Sequence, residues 1–339
     1  MRIAVIGLGM IGARHAEYFG QAGHEVVTVD RRGGADFDHL AAVPDPSEVA
    51  AWVVATPTAT HLPVVTEILR GRPDARILLE KPACYPAELP DLARLGRQYP
   101  QARIIVNDVY AYSAAVRQFA ESVREFGRAD EPKKITIEFT KNREHDIANG
   151  RFVDTRYGEA GYEFFHMLSI LRSILPPERY RRYLRTEPVS ITPEMRVRTR
   201  ATDLPEIELY ASSKGDIGHA DLAGFAFPGD LARDCLRHSL VPYGAEFRYR
   251  FADVELASGR HVTLVFEPHF GVAHDYKNLH AVYIRDAVMR QQFTLCGNHF
   301  KEGLLIQLDL LCGTVTPVPP MRLPEHRFMA ALGSRFINI

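Results

Sequence analysis

Lys81 stands just beyond the apolar run Ile77 to Leu79 and is followed at once by Pro82. Proline fixes its own φ and removes a donor, so it can set how the lysine leaves the chain. An ammonium aimed into a crevice can hydrogen-bond an alcohol or carbonyl oxygen and stabilise negative charge developing there. The plain alternative is a surface lysine in a turn. A second signal opens the chain, Gly7-x-Gly9-x-x-Gly12. In such a loop Gly7 permits a tight strand-to-helix turn, Gly9 admits a pyrophosphate to the backbone, and Gly12 lets helix and strand approach. Asp30 ends the next apolar run, where a carboxylate accepts the hydroxyls of a ribose and repels a 2′-phosphate. Arg31 and Arg32 follow it, and a guanidinium can hold that phosphate or stack on adenine. The expected cofactor is NAD, with NADP possible, cradled by Gly7, Leu8, Gly9, Met10, Ile11 and Gly12, with Asp30 and Arg31 at its ribose.

The third candidate is His166. Glu159, Tyr162, Glu163 and His166 fall at i, i+3, i+4 and i+7, so they share a helix face. A carboxylate or phenol one turn before a histidine can orient the imidazole for general acid–base work. Otherwise His166 is a helix-face histidine and Tyr162 a core residue. Thr56-Pro57-Thr58-Ala59-Thr60-His61 follows another apolar run and reads as a loop under the nicotinamide half of a dinucleotide. His61 alone suits a helix start as well as it suits a catalyst. Tyr276-Lys277 and the stretch from His269 to His280 read as a polar, histidine-rich loop that either lines a pocket or is solvated.

Elements must bring these residues together. Arg2 to Gly7, Glu25 to Val29, Ala51 to Thr56, Arg76 to Leu79 and Arg103 to Val106 read as buried strands. Met10 to Ala22, Thr60 to Arg70, Ala87 to Arg97 and Ala114 to Phe126 read as the helices between them. The stretch from Arg31 to Ala50 is too short for a full helix and strand. Strand–helix alternation predicts an α/β fold, an N-terminal Rossmann doubly wound parallel sheet. Ligands bind such sheets beyond the carboxyl ends of the strands, which is where both Lys81 and the glycine loop fall. Lys134 to Thr140 alternates as a half-buried strand does, and Val189 to Arg200, Glu206 to Ala211, Glu246 to Leu256 and His261 to Phe266 read as strands without long helices between them. Glu159 to Leu175, His299 to Leu311 and Pro324 to Arg335 are helical, and Val315 to Pro320 is a proline-rich loop. That texture predicts an α+β domain with a large, mostly antiparallel open sheet. The expected boundaries are 1–123 for the dinucleotide-binding domain and 124–339 for the substrate-binding and oligomerisation domain.

The totals exclude several classes. With 41 basic and 42 acidic residues among 339, bulk charge offers no nucleic-acid surface. The four cysteines are scattered, so no CxxC-type pair exists and free thiols with no metal are expected. No apolar run approaches the roughly 18 residues that span a bilayer, and no signal peptide is evident. The expectation is a cytoplasmic protein with a small-molecule substrate and neither a nucleic-acid nor a membrane partner.

Taken together, the motifs resemble the Gfo/Idh/MocA oxidoreductases. The matching residues are Gly7-x-Gly9-x-x-Gly12-x-x-His15, Ala55-Thr56-Pro57-x-x-x-His61, Glu80-Lys81-Pro82, and His166 on a helix that begins near Gly158. The resemblance implies NAD(P)-dependent hydride transfer on a sugar, cyclitol or related polyol, in a homo-oligomer (dimer or tetramer). It implies that Lys81 contacts the reacting oxygen and His166 moves the hydroxyl proton. Thr56, Pro57, Thr58, His61, Glu80 and Lys81 then line the cofactor. Lys81, Asn107, Tyr112, Tyr162 and His166 line the substrate. Three departures stand out. Tyr162 replaces the family's aspartate on the His166 helix, with Glu163 as a substitute; Ala111-Tyr112 replaces an arginine and an aromatic residue; and the region after Asp30 is short. The first two predict a less polar or biosynthetic substrate. Two alternatives stay open. One is an enzyme using tightly bound NAD for transient oxidation with elimination or bond cleavage. The other is a catalytically silent nucleotide-binding sensor.

Overall fold

The computed structural model describes residues 1–141, 143, 147–148, 156–193, 195–214, 248–267, 278–313 and 321–335. Cys235, the stretches 268–277 and 314–320 and the side chain of Tyr162 lie outside the described residues. The contacts divide the chain into two units, Met1–Val109 with Phe300–Arg327, and Tyr110–His299 with Phe328–Ile339.

The first unit is built on β1 (Arg2–Ile6), β2 (Glu25–Val29), β3 (Val49–Val54), β4 (Arg76–Leu79) and β5 (Arg103–Val106). They form one sheet in the order β2-β1-β3-β4-β5, every neighbouring pair parallel. The strands read as nearly unbroken apolar runs because both faces are covered. Helices α1 (Met10–Gln21), α2 (Thr58–Gly71) and α3 (Leu89–Gln98) alternate with them. The order reverses between β1 and β3, which makes the loop after β1 the topological switch point. As expected, residues 31–48 hold no full helix or strand, only the short helical turns Leu40–Ala42 and Pro46–Glu48 and one bridge between Val29 and Phe37.

A later helix, His299–Cys312, returns to this unit. Its Leu304, Leu308 and Leu311 join Ile3, Val5, Phe19, Ala51, Val53, Leu78 and Ile105 in one buried cluster. The change of unit falls at 109/110, and helix α4 (Ala114–Phe126) packs on strands of the second sheet.

In the second unit β6 (Pro132–Lys141), β7 (Ser190–Ile191), β8 (Arg196–Thr199), β9 (Glu206–Ser212), β10 (Arg248–Leu256), β11 (His261–Phe266), β12 (Leu279–Arg285) and β13 (Arg290–Cys296) form a second sheet. Its order is β13-β12-β11-β10-β6-β9-β8-β7, and only β6 and β9 pair in parallel. Helix α5 (Ala160–Ile174) packs on β6 and β9 and on α4. The predicted α/β class and mostly antiparallel second sheet are both found.

Two details differ from the sequence reading. Val189 to Arg200 is not one strand, because Thr192-Pro193 starts a turn closed by Met195 N–H donating to Thr192 O at 2.9 Å. Proline interrupts a strand ladder by removing a donor. And His280, assigned to a polar loop, lies within β12 and is buried.

Candidate functional site

The first unit supplies a cradle. Gly7 has φ +91°, which a side chain would strain, and a Cβ there would meet backbone atoms of Ala55 and Thr56 at 2.8–2.9 Å. A Cβ on Gly12 would lie 1.7 Å from the Gly7 carbonyl oxygen, while one on Gly9 would meet nothing within 4 Å. The protein's own packing therefore demands glycine at 7 and 12 but not at 9. Helix α1 begins at that open position, with no side-chain cap and no acidic residue in its first turn. Its first N–H groups and the positive end of its dipole suit an anion. Leu8 and Ile11 are half-buried and Met10 is exposed beside this opening. Asp30 is already oriented, since Oδ2 accepts from Leu8 N–H at 2.6 Å and Oδ1 from Arg32 N–H at 2.8 Å. Arg31 and Arg32 are exposed.

The loop after β3 and the turn after β4 are tied together. Pro57 is exposed and Thr58 buried at the start of α2. His61 is buried, with Nε2 at 2.7 Å from Thr56 O and Nδ1 at 3.0 Å from Pro82 O. Burial holds its imidazole below the ordinary histidine range, although both carbonyls and Glu80 pull the other way. The Thr56 hydroxyl is buried without a hydrogen-bond partner among the described residues. Lys81 is half-buried and its bond to Pro82 is cis.

Glu80, just before Lys81, is held from several sides. Its Oε1 accepts from Asn107 Nδ2 at 2.5 Å and lies 3.1 Å from Nε2 of the fully buried His15. Burial opposes its ionisation, yet His15, Asn107 and Lys81 outweigh that and keep the carboxyl below its usual range. Asn107, expected at the substrate, is itself buried, and its Oδ1 accepts from Gln307 at 2.8 Å. Its amide thus orients Glu80.

The second unit holds the histidine. His166 lies on α5, half-buried, and its ring centroid is 4.7 Å from that of Tyr110. Glu163, one turn before it, accepts from Arg143 at 2.9 Å and from Arg250 at 3.2 Å. Arg250 also donates to the Tyr110 hydroxyl at 2.8 Å and lies over the Phe139 ring. Burial works against the Arg250 guanidinium, but Glu163, Tyr110 and Glu267 overcome it and raise its pKa. Glu163 and Arg250 therefore fix Tyr110, whose ring faces His166. Glu159 bonds to Ser213 through both carboxylate oxygens. Tyr112 is half-buried in the short turn Val109–Tyr112.

Sequence reasoning did not single out Tyr110, Arg250 or His299. Tyr110 and His299 rings are 5.0 Å apart, and His299 Nδ1 lies 3.1 Å from His280 Nε2. Burial, His280 and Arg250 lower the His299 pKa to about 3. These side chains come from separate segments, and only the register of the sheet, which places Arg250 opposite Phe139, brings them near α5. No local spacing signals them. Among the described residues no cluster of His, Cys, Asp or Glu suits a metal ion, and no helix is long and apolar enough to cross a membrane.

Residues 1–104 match the Gfo/Idh/MocA family model, described as an oxidoreductase family with an NAD-binding Rossmann fold. No curated protein matches the chain. Among solved structures, UDP-N-acetylglucosamine 3-dehydrogenase GnnA from Acidithiobacillus ferrooxidans aligns over 98% of this chain and 95% of its own, at 15% identity and TM-score 0.60. KijD10, a 3-ketoreductase from Actinomadura kijaniata solved with TDP-benzene and NADP, aligns over 98% and 96%, at 15% identity and TM-score 0.64. A probable dehydrogenase from Thermotoga maritima aligns over 98% and 95%, at 14% identity and TM-score 0.60. Identities this low establish a shared fold.

Proposed function

We propose that the chain, whose residues 1–104 match the Gfo/Idh/MocA oxidoreductase model with an NAD-binding Rossmann fold, interconverts a hydroxyl and a keto group on a nucleotide-linked sugar. The observation that carries the reading is the open space at Gly9 beside an uncapped helix N-terminus, a cradle with room for a pyrophosphate. Gly9, Met10 and the start of α1 would hold the phosphates, Asp30 the adenosine ribose, and Thr56 and Pro57 the nicotinamide half. When bound, a nicotinamide dinucleotide supplies the hydride donor or acceptor.

The protein's own residues do the rest. The Lys81 ammonium binds the substrate oxygen and stabilises its charge as an alcohol is deprotonated or a ketone is reduced. The His166 imidazole removes the hydroxyl proton during oxidation and returns it during reduction. Tyr110 restrains the plane of that imidazole, and Glu163 acts through Arg250 and Tyr110 as a positioning residue. The packing of the buried Tyr110 ring on His166 and the named activities of GnnA and KijD10 support a sugar substrate with an apolar wall against its ring.

The test uses NADH or NADPH deuterated at C4 with 3-keto sugar nucleotides, free keto sugars and keto cyclitols. Deuterium in the sugar of a nucleotide-linked product supports the reading. Label transfer confined to free keto sugars or keto cyclitols contradicts the substrate class. No transfer to any substrate, with the cofactor bound, contradicts the reaction.

A further inference from the structure

Two buried side chains from residues 300–327 are linked to the turn that carries Lys81, one to Glu80 through Asn107 and one to the Ala83 N–H. On one side, Gln307 donates to Asn107 Oδ1 at 2.8 Å, and Asn107 donates to Glu80. Gln307 also accepts from Asp108 N–H at 2.8 Å and donates to Gly303 O at 2.9 Å. On the other side, Ala83 N–H donates to His326 Nε2 at 3.0 Å, while His326 Nδ1 lies 2.8 Å from Arg322 O. A carbonyl only accepts, so Nδ1 carries the proton and Nε2 offers its lone pair to Ala83. Both side chains are fully buried.

Covering the sheet does not require either one. Leu304, Leu308 and Leu311 already do so from the same helix as Gln307. A buried amide or imidazole costs free energy unless its polar atoms are matched, and here the partners include the Ala83 N–H, two residues after Lys81, and Asn107, which holds Glu80 just before it. We propose that His326 and Gln307 are positioning residues for Lys81, holding Ala83 and Glu80 so that the ammonium keeps one direction. This rests on Lys81 being the group that binds the substrate oxygen.

The experiment reads Lys81 directly and needs no substrate. The intact protein is labelled briefly with an amine-reactive acetyl ester, and acetylation at Lys81 is measured by peptide mass spectrometry relative to the exposed Lys133. His326→Phe removes the acceptor and keeps ring bulk. His326→Gln restores an acceptor, and Gln307→Leu breaks the other chain. Losing one such bond shifts the population of the held turn by about fivefold, so the Lys81:Lys133 ratio should change by about that factor in His326→Phe and Gln307→Leu. It should return toward wild type in His326→Gln. An unchanged ratio in folded His326→Phe overturns the proposal.

If His326→Phe does not fold, amide exchange in the wild type decides. Protection of Ala83 N–H equal to that of the β4 amides supports the proposal, and exchange at the rate of an open loop overturns it. A changed ratio with no turnover of any sugar would sink the proposed reaction and leave the positioning role standing.

Discussion

Gly12 lies so close to Gly7 that a methyl group on the first would sit 1.7 Å from the carbonyl oxygen of the second. The two glycines are therefore fixed by the fold, whereas Gly9, between them, faces open space. Gly12→Ala should destabilise the first unit by at least about 1–3 kcal/mol through forced backbone movement. Gly9→Ala should melt within a few degrees of wild type but bind NADH or NADPH about tenfold or more weakly, because its methyl enters space assigned to the pyrophosphate. Paired thermal melts and fluorescence titrations check both. Equal cofactor affinity in Gly9→Ala would place the phosphates elsewhere.

Asp30 is proposed to govern the choice between NAD and NADP. Its carboxylate accepts from Leu8 and Arg32, so it is held in place before any ligand arrives. NAD should bind more tightly than NADP. Asp30→Asn removes the charge that repels a 2′-phosphate, keeps an acceptor, and leaves the exposed Arg31 and Arg32 available. The ratio of the two dissociation constants should swing toward NADP by about tenfold. An unmoved ratio would assign the ribose to another residue.

Glu163 is the shared anion of two largely buried guanidinium groups. Glu163→Leu removes that shared anion from both, and stability should fall by about 3–5 kcal/mol. The double variant Glu163→Leu/Arg250→Leu should recover part of that loss, because one orphaned charge goes with its partner. Denaturant unfolding of the single and double variants measures the difference. A fully additive loss would show that the pair is not coupled.

Acid should weaken the fold for a definite reason. Burial lowers the pKa values of His61, His280, His299 and His326. A histidine whose folded pKa is depressed binds its proton more readily when unfolded, so its contribution is complete above the unfolded value and fades as pH falls. For His299 that window runs from the ordinary value near 6.5 down to about 3. Each such group should cost about 1.4 kcal/mol per pH unit inside its window. The depressed Glu80 adds to the loss below its unfolded value, in the same direction. Stability measured from pH 7 to pH 4 should fall steadily, and His299→Gln should make the decline shallower. A flat profile would mean these imidazoles are solvated.

The glycine loop, the strand before Lys81 and the helix of His166 were legible because each is a local pattern, an apolar run or a helical face closed by a special residue. The surroundings of His166 were not. Tyr110, Arg250 and His299 meet near it only through sheet register and burial, which no spacing in the chain encodes. Strand β13 escaped notice for another reason. Arg290, Gln291, Gln292 and Thr294 are exposed, so the strand lacks an alternating apolar face and is held by its ladder to β12. The helical pattern of α4 is equally plain in the sequence, but its buried face does not say which sheet it covers.

The account turns on Lys81. Lys81→Ala should still bind NADH or NADPH within about threefold of wild type, while turnover of a sugar that the wild type accepts drops by about a hundredfold or more, the effect of losing one transition-state donor. The most direct measurement is the paired determination of cofactor Kd and kcat for these two proteins. Retained affinity with lost kcat is the predicted result. Unchanged kcat in Lys81→Ala would contradict the account.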